Sequence, residues 1–273
     1  MEKVENNSII RKSIVGAEME NILTSWLVGQ KIAHRGLHSS KSAPENSRQA
    51  FENAILHNFA IELDVHIISD GTLVVIHDDT LDRTTNSKGE VKSLTKRDLA
   101  NIKLKGTNES LPTFDEVLKL VKGKVPLLIE VKNEGKVGEL EEKLYETLKK
   151  YKGKYAIQSF NPFVLKWFRI NAPEVWRGQL SGSFKGEKLS YIKKVILKRM
   201  LLNDRVSKPD FISYDHRALP NKYVLKYGEL PLLAYTIRSN QNMKNAKLNG
   251  VDNFIFEDFI PKEPFNKIAE GND

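Results

Sequence analysis

The sequence predicts an α/β chain closed into a (β/α)8 barrel, and three observations predict it. Through the second half of the 273-residue chain, short apolar strand candidates alternate with longer amphipathic helix candidates, the mark of parallel strands joined by crossovers. Nine strand candidates can be counted, and Asp70-Gly71 ties one of them to its predecessor by a turn too short for a parallel crossover. That strand runs antiparallel as a side arm and leaves eight, the number that closes a barrel. An open doubly wound sheet is the alternative, but its usual Gly-rich phosphate turn after the first strand is missing.

Taken in order, residues 17–28 space their apolar side chains as an amphipathic helix that covers one end of the domain, so 1–30 read as a helical extension and 31–273 as the barrel. Lys31-Ile32-Ala33 is a short strand that delivers His34-Arg35-Gly36 into a loop. Ser47 is placed to cap a helix over 48–58. Over 61–67 apolar and ionisable residues alternate with period two, so Glu62, Asp64 and His66 share one face while Leu63, Val65 and Ile67 take the other. A two-residue type I′ turn at Asp70-Gly71 pairs Ile68 with Leu73, His66 with Val75 and Asp64 with His77. Leu73-Val74-Val75-Ile76 is apolar on both faces, which predicts a buried hairpin. Buried carboxylates two residues apart need a cation or hydrogen-bond donors.

Residues 81–89 read as a polar loop, Thr95 caps a short helix, and Thr113 and Glu116 stand at capping-box spacing before a helix ending near 121. The later strands fall at 127–131, 155–159, 177–180, 211–214, 232–236 and 254–256, with helices over 137–151, 162–171 and 240–249 between several of them.

A hydrophobic content of 40% supports a substantial core, and the absence of cysteine excludes disulfides, a thiol nucleophile and thiolate metal sites. The formal charge of +8 suits an anionic partner such as a phosphate ester, but most of the lysines are scattered through helix-like segments and read as a solvated surface. No basic stripe with interleaved aromatics points to nucleic acid. The apolar run at 22–28 is interrupted by Thr24 and Ser25, so neither a signal peptide nor a membrane span is expected, and the expected location is cytoplasmic.

Barrel enzymes place their catalytic groups at the C-terminal ends of the strands. Here those ends carry His34 and Arg35, then Glu62 and Asp64, then Glu130 and Lys132, then Gln158-Ser159-Phe160-Asn161, which together describe one pocket. Three carboxylates without cysteine form a hard oxygen site suited to one divalent cation, Mg²⁺, Ca²⁺ or Mn²⁺. Arg35 and Lys132 add positive charge for an anionic oxygen, and histidines trade protons near neutral pH. The constellation suits a phosphoester.

The chain resembles the glycerophosphodiester phosphodiesterase family. The resemblance is carried by His34-Arg35-Gly36, Pro44-Glu45-Asn46-Ser47, Glu62-x-Asp64, Asp70-Gly71, His77-Asp78, Leu81-x-Arg83-Thr84-Thr85, Glu130-x-Lys132, Gln158-Ser159-Phe160 and the late Ala234-Tyr235-Thr236-Ile237-Arg238. It implies a TIM barrel with a small insertion after the second strand, from about 69 to 111. It also implies that His34 and His77 are the general acid and base, that Glu62, Asp64 and Glu130 bind the metal, and that Arg35 and Lys132 hold the phosphate. The implied partner is a small glycerophosphodiester, cleaved to glycerol 3-phosphate and an alcohol, with the glycerol 2-hydroxyl as internal nucleophile in the family's scheme and direct attack by water as the alternative. Tyr235 stands where an aromatic, often Trp, is usual, and Glu257-Asp258 replaces the more common small residue and Asp.

His66 and Gln158 join Tyr235 as candidate substrate contacts, with a solvent-facing His66 as the competing reading. His38, His57 and His216 read as surface or loop residues, Asp78 and Asp79 as turn caps, and Trp26, Trp167 and Trp176 as packing groups. A lysophospholipase D acting at a membrane would use the same residues with an apolar rim round the pocket, which the sequence does not show. A dead barrel is disfavoured because every acid, base and metal position is filled.

Overall fold

Runs in which nearly every residue is buried become the strands, as expected where a parallel sheet is covered on both faces. The structure is a computed structural model describing residues 21–39, 42–133, 135–186 and 189–262. Its strands are β1 (Ile32–Ala33), β2 (Ala60–Ile67), β3 (Leu73–Val75), β4 (Leu127–Val131), β5 (Tyr155–Ser159), β6 (Arg177–Ser181), β7 (Phe211–Asp215), β8 (Leu232–Ile237) and β9 (Asn253–Phe256). Eight are parallel in the order β1-β9-β8-β7-β6-β5-β4-β2, and pairing of β1 with β2 closes the barrel. β3 is the antiparallel side arm on the end of β2.

Helices with one apolar stripe cover the outside. Phe114–Val121 starts on the expected capping box, with Thr113 accepting from the Glu116 amide and Glu116 from the Thr113 amide, and buries Phe114, Val117, Leu118 and Val121. Glu139–Leu148 buries Leu140, Leu144 and Leu148 at four-residue spacing. Thr95 bonds to Asp98, and the short helix after it is the 3-10 turn Asp98–Asn101. That turn belongs to the inserted segment, where Ile68, Val74 and Ile76 pack on Leu81, Val91, Leu99 and Leu111 as a separate small core.

The hairpin register differs from expectation by one residue. Val65 pairs with Val75, His66 with Val74 and Ile67 with Leu73, and the Ile76 amide donates to the Asp64 carbonyl. Gly71 has φ +80° while Asp70 does not have positive φ, which rules out type I′. Instead the Gly71 amide donates to the Ile68 carbonyl and the Ile68 amide to that of Thr72, a three-residue loop with glycine at the left-handed position. The Asp70 carboxylate fixes it by accepting from the amides of Thr72 (3.1 Å) and Lys96 (2.7 Å). His77 therefore lies beyond the strand rather than opposite Asp64.

The continuous helix expected over 17–28 is also corrected for its described part. Residues 17–20 lie outside the described residues; Ile22–Thr24 is a 3-10 turn and Trp26–Gly29 a short helix, separated by an extended Ser25 that caps the second. Ile22, Trp26 and Leu27 pack on Ile32, Ala60, Leu128, Ala156, Phe211, Leu233 and Ile255, the inward residues near the N-terminal strand ends. They plug the bottom of the barrel and leave the C-terminal rim for chemistry.

At β6, Arg177 is fully buried, its guanidinium 3.2 Å from Asp210 and donating to the Val175 carbonyl at 2.9 Å. Removing one partner of a buried pair strands the other charge. Asp210→Ala should lower unfolding stability by about 3 kcal/mol, read as a lower urea midpoint with an unchanged slope.

Candidate active site

The polypeptide leaves β1 in a sharp turn with Arg35 at φ +54° and Gly36 at φ +80°. A Cβ on Gly36 would sit 2.9 Å from the Ala50 carbonyl carbon, so only glycine lets the turn lie against helix Arg48–Leu56. The turn aims the Arg35 amide at Glu62 Oε2 (3.0 Å).

Glu62 and Asp64 share a face of β2, and the β2–β4 register sets Glu130 beside Asp64. All three are buried, and ligand atoms from each lie within 4.8 Å of one another. Burial, reinforced by Asp64 and Glu130, pushes the Glu62 carboxyl well above its ordinary range. Burial acts the same way on Asp64, but His77, Lys132, Arg35 and a hydrogen bond from Asn46 Nδ2 (2.9 Å) outweigh it and hold Asp64 below its ordinary value. Lys132 Nζ reaches Glu130 Oε1 at 2.9 Å and Asp64 Oδ1 at 3.7 Å. Burial alone would lower the Lys132 pKa, and these two carboxylates raise it.

Both predicted histidines reach this rim, and each is held at Nδ1 by a carboxylate. His34 Nδ1 bonds Glu257, which follows β9; the Ala33–Phe256 register makes His34 and Glu257 neighbours. Glu257 also accepts from Arg238 Nε at 2.6 Å and lies 3.5 Å from His38 Nε2. Burial lowers the His34 pKa, and the Glu257 contact only partly opposes this. His77 Nδ1 bonds Asp78 at 2.7 Å. Because an ionised carboxylate only accepts, Nδ1 carries the proton in both rings and Nε2 is left for other partners.

Asp78 belongs to a run of alternating charge. Arg83 donates from Nε to Asp78 (2.7 Å) and from both terminal nitrogens to Glu45 (2.6 and 2.7 Å), and Glu45 also accepts from Arg35 (2.6 Å). Asp78 is thus a ring anchor rather than a turn cap. Arg83→Met would release Asp78 and Glu45 together; kcat/KM should fall about tenfold or more, with a far-UV spectrum like that of the wild type.

A cleft of about 940 Å³ opens at the rim, lined by His77, Glu130, Lys132, Tyr235 and the loop and helix after β6. His34, Arg35, Glu62 and Asp64 are not among its lining residues; Asp64 adjoins it through Lys132 and Glu62 through Glu130, while His34 Nε2 lies 4.0 Å from Glu62 and Arg35 Nε 3.5 Å from Asp64. The Tyr235 hydroxyl donates to the Ser181 carbonyl at 2.7 Å. Gln158 is buried, its Oε1 accepting from Ser213 (2.8 Å) and its Nε2 3.4 Å from Glu62 Oε1, so it braces the carboxylate cluster. His66 is 7% exposed rather than solvent-facing, and its Nε2 bonds the His77 carbonyl at 3.2 Å.

Three features escaped the sequence reading. His38 is not a bare loop residue, since it flanks Glu257. Glu257 had only its departure from the expected motif as a signal. Asp215 and Arg217 also line the cleft, joined by two bonds of 2.9 Å, and the strand-end rule applied to β7 would have found them.

Against known proteins, the profile of the glycerophosphoryl diester phosphodiesterase family matches residues 34–260. The chain belongs to that family. A glycerophosphodiester phosphodiesterase of Bacillus subtilis is 34% identical over 264 residues, covering 88% of this chain and 86% of that protein. One from Caldanaerobacter subterraneus is 43% identical over 161 residues, which is 55% of this chain and 65% of the relative. Among solved structures, a phosphodiesterase from Oleispira antarctica in complex with the product sn-glycerol-3-phosphate superposes with a TM-score of 0.71 at 26% identity, covering 84% of this chain and 92% of that one. In this phosphodiesterase family member no helix among the described residues is long and apolar enough to cross a membrane.

The carboxylate cluster fits the divalent cation that such enzymes are expected to use. Asp64 Oδ1 is buried without a hydrogen-bond partner, and Glu62 and Glu130 add oxygen donors to the same spot.

Proposed function

We propose that this protein hydrolyses glycerophosphodiesters to sn-glycerol 3-phosphate and an alcohol, with His34 and His77 as the acid–base pair. The observation that carries it is the pair of imidazoles, each anchored through Nδ1 by a carboxylate, on either side of a buried three-carboxylate cluster at the barrel rim. One neutral imidazole takes at Nε2 the proton of the attacking oxygen, whether the glycerol 2-hydroxyl or water, and the other, as imidazolium, gives its Nε2 proton to the departing alcohol oxygen as the phosphorus–oxygen bond breaks. Where the 2-hydroxyl attacks, the rings exchange roles and water opens the cyclic phosphate to glycerol 3-phosphate. Lys132, at the cleft wall, and Arg35 offset the charge that gathers on the nonbridging oxygens. Glu62, Asp64 and Glu130 would hold one divalent cation, which when bound polarises a phosphoryl oxygen. The product in the Oleispira antarctica complex is the one this reaction predicts.

The test is release of glycerol 3-phosphate from glycerophosphocholine and glycerophosphoethanolamine, with chelator and then with Mg²⁺, Ca²⁺ or Mn²⁺ restored. Metal-dependent release is expected; no release from any soluble diester with any of the metals would overturn the reading. A second reading, cleavage of lysophospholipids to lysophosphatidate, is favoured by the apolar side chains of Phe160, Phe163, Ile196 and Leu197 in the cleft wall. Lysophosphatidylcholine in the same assay separates the two.

A further inference from the structure

Among the described residues, every longer helix around the barrel buries apolar side chains except Tyr191–Lys198, which buries none of its residues. Yet five of its eight residues are aliphatic or aromatic. The adjacent Tyr191 and Ile192 are 81% and 70% exposed, and Leu201, just past the other end, is 55% exposed. Large apolar side chains left in water beside one another mark a surface that meets something else.

The charge pattern says what. Residues 189–203 contain Lys193, Lys194, Lys198 and Arg199 and no acidic residue. The helix is bonded to the barrel at its C-terminal end, where the Ser181 hydroxyl donates to the Leu197 carbonyl (2.8 Å) and that of Tyr214 to the Lys198 carbonyl (3.4 Å). Its N-terminal Tyr191 is thus the most exposed end of a basic amphipathic element. A short basic helix with exposed aromatic and aliphatic residues matches the headgroup layer of an anionic bilayer, where apolar groups enter the acyl boundary and lysines meet lipid phosphates. Ile192, Lys193, Ile196 and Leu197 of the same helix line the cleft, so the surface and the cleft mouth share a rim.

We propose that the segment 191–201 is a docking surface for an anionic lipid bilayer, with Tyr191 and Leu201 entering the interface and Lys194, Lys198 and Arg199 contacting lipid phosphates. This goes beyond the hydrolytic reaction and does not depend on it. Docking would bring the cleft mouth to the bilayer.

The test is cosedimentation of the full chain with vesicles of equal parts phosphatidylglycerol and phosphatidylcholine, and with phosphatidylcholine alone. Binding should be at least about tenfold stronger to the anionic vesicles and weaken as salt rises. Tyr191→Glu with Leu201→Glu, and separately Lys194→Glu with Lys198→Glu, should each lower the partition coefficient about tenfold. None of these four side chains lines the cleft, so turnover of glycerophosphocholine in solution should be unchanged and shows that the variants are folded. Equal binding to both vesicle types, or variants that bind as the wild type does, would overturn the proposal. So would a wild-type dimer that Tyr191→Glu dissociates, because the face would then cover a second copy of the chain.

Discussion

His34→Ala and His77→Ala should each lower kcat by about a hundredfold to ten-thousandfold while leaving the thermal midpoint close to that of the wild type. The two halves of this expectation have separate grounds. The chemical half rests on Nε2 of each ring, which is left free because Nδ1 is engaged by Glu257 or Asp78. The stability half rests on what each truncation leaves behind. Without the His34 ring, Glu257 keeps its bond from Arg238 Nε at 2.6 Å, and without the His77 ring, Asp78 keeps its bonds from Arg83 at 2.7 and 2.9 Å. No carboxylate is stranded, so the usual cost of breaking a buried pair is not incurred. Both variants should also lose one limb of the bell-shaped dependence of kcat/KM on pH. Wild-type turnover in either variant would remove that histidine from the acid–base pair.

Chelation should abolish turnover, and saturating divalent cation should both restore it and raise the melting temperature. Binding confined to the native state stabilises by mass action, about 2.7 kcal/mol at a hundred times the dissociation constant. Burial and two neighbouring carboxylates push the Glu62 carboxyl well above its ordinary range, so a cation bound to its ionised form should bind more tightly as pH rises. Glu130→Gln removes one anionic donor and leaves a near-isosteric amide beside Lys132. That variant should fold, lose the cation-induced rise in melting temperature, and lose most of its activity. A melting temperature that rises equally in wild type and Glu130→Gln would place the cation elsewhere.

The sequence by itself determined the strands, the barrel and most of the residues that gather at its rim, because those are written in local patterns. Period-two alternation put Glu62 and Asp64 on one face, and the same alternation at Glu130 and Lys132 put those two on another, which the β2–β4 register then brought together. Strands β4 and β5 begin and end at the residues the sequence predicts, 127–131 and 155–159. Local patterns stop short at turns whose backbone has two good solutions. Asp70-Gly71 permits a two-residue or a three-residue loop, and the Asp70 carboxylate, held by the local Thr72 amide and the distant Lys96 amide, fixes the second, shifting the hairpin by one residue.

Tertiary structure alone decided what holds the histidines. Glu257 stands 223 positions from His34 and reaches it because the barrel closes β9 onto β1; no spacing along the chain encodes that contact. The Arg35–Glu45–Arg83–Asp78 run likewise forms only when the turn after β1 and the inserted segment meet over the rim. The docking rim has the same origin. The lysines at 193–198 are visible in the sequence, but they read as part of a solvated surface until the fold shows that none of the helix's apolar side chains is buried.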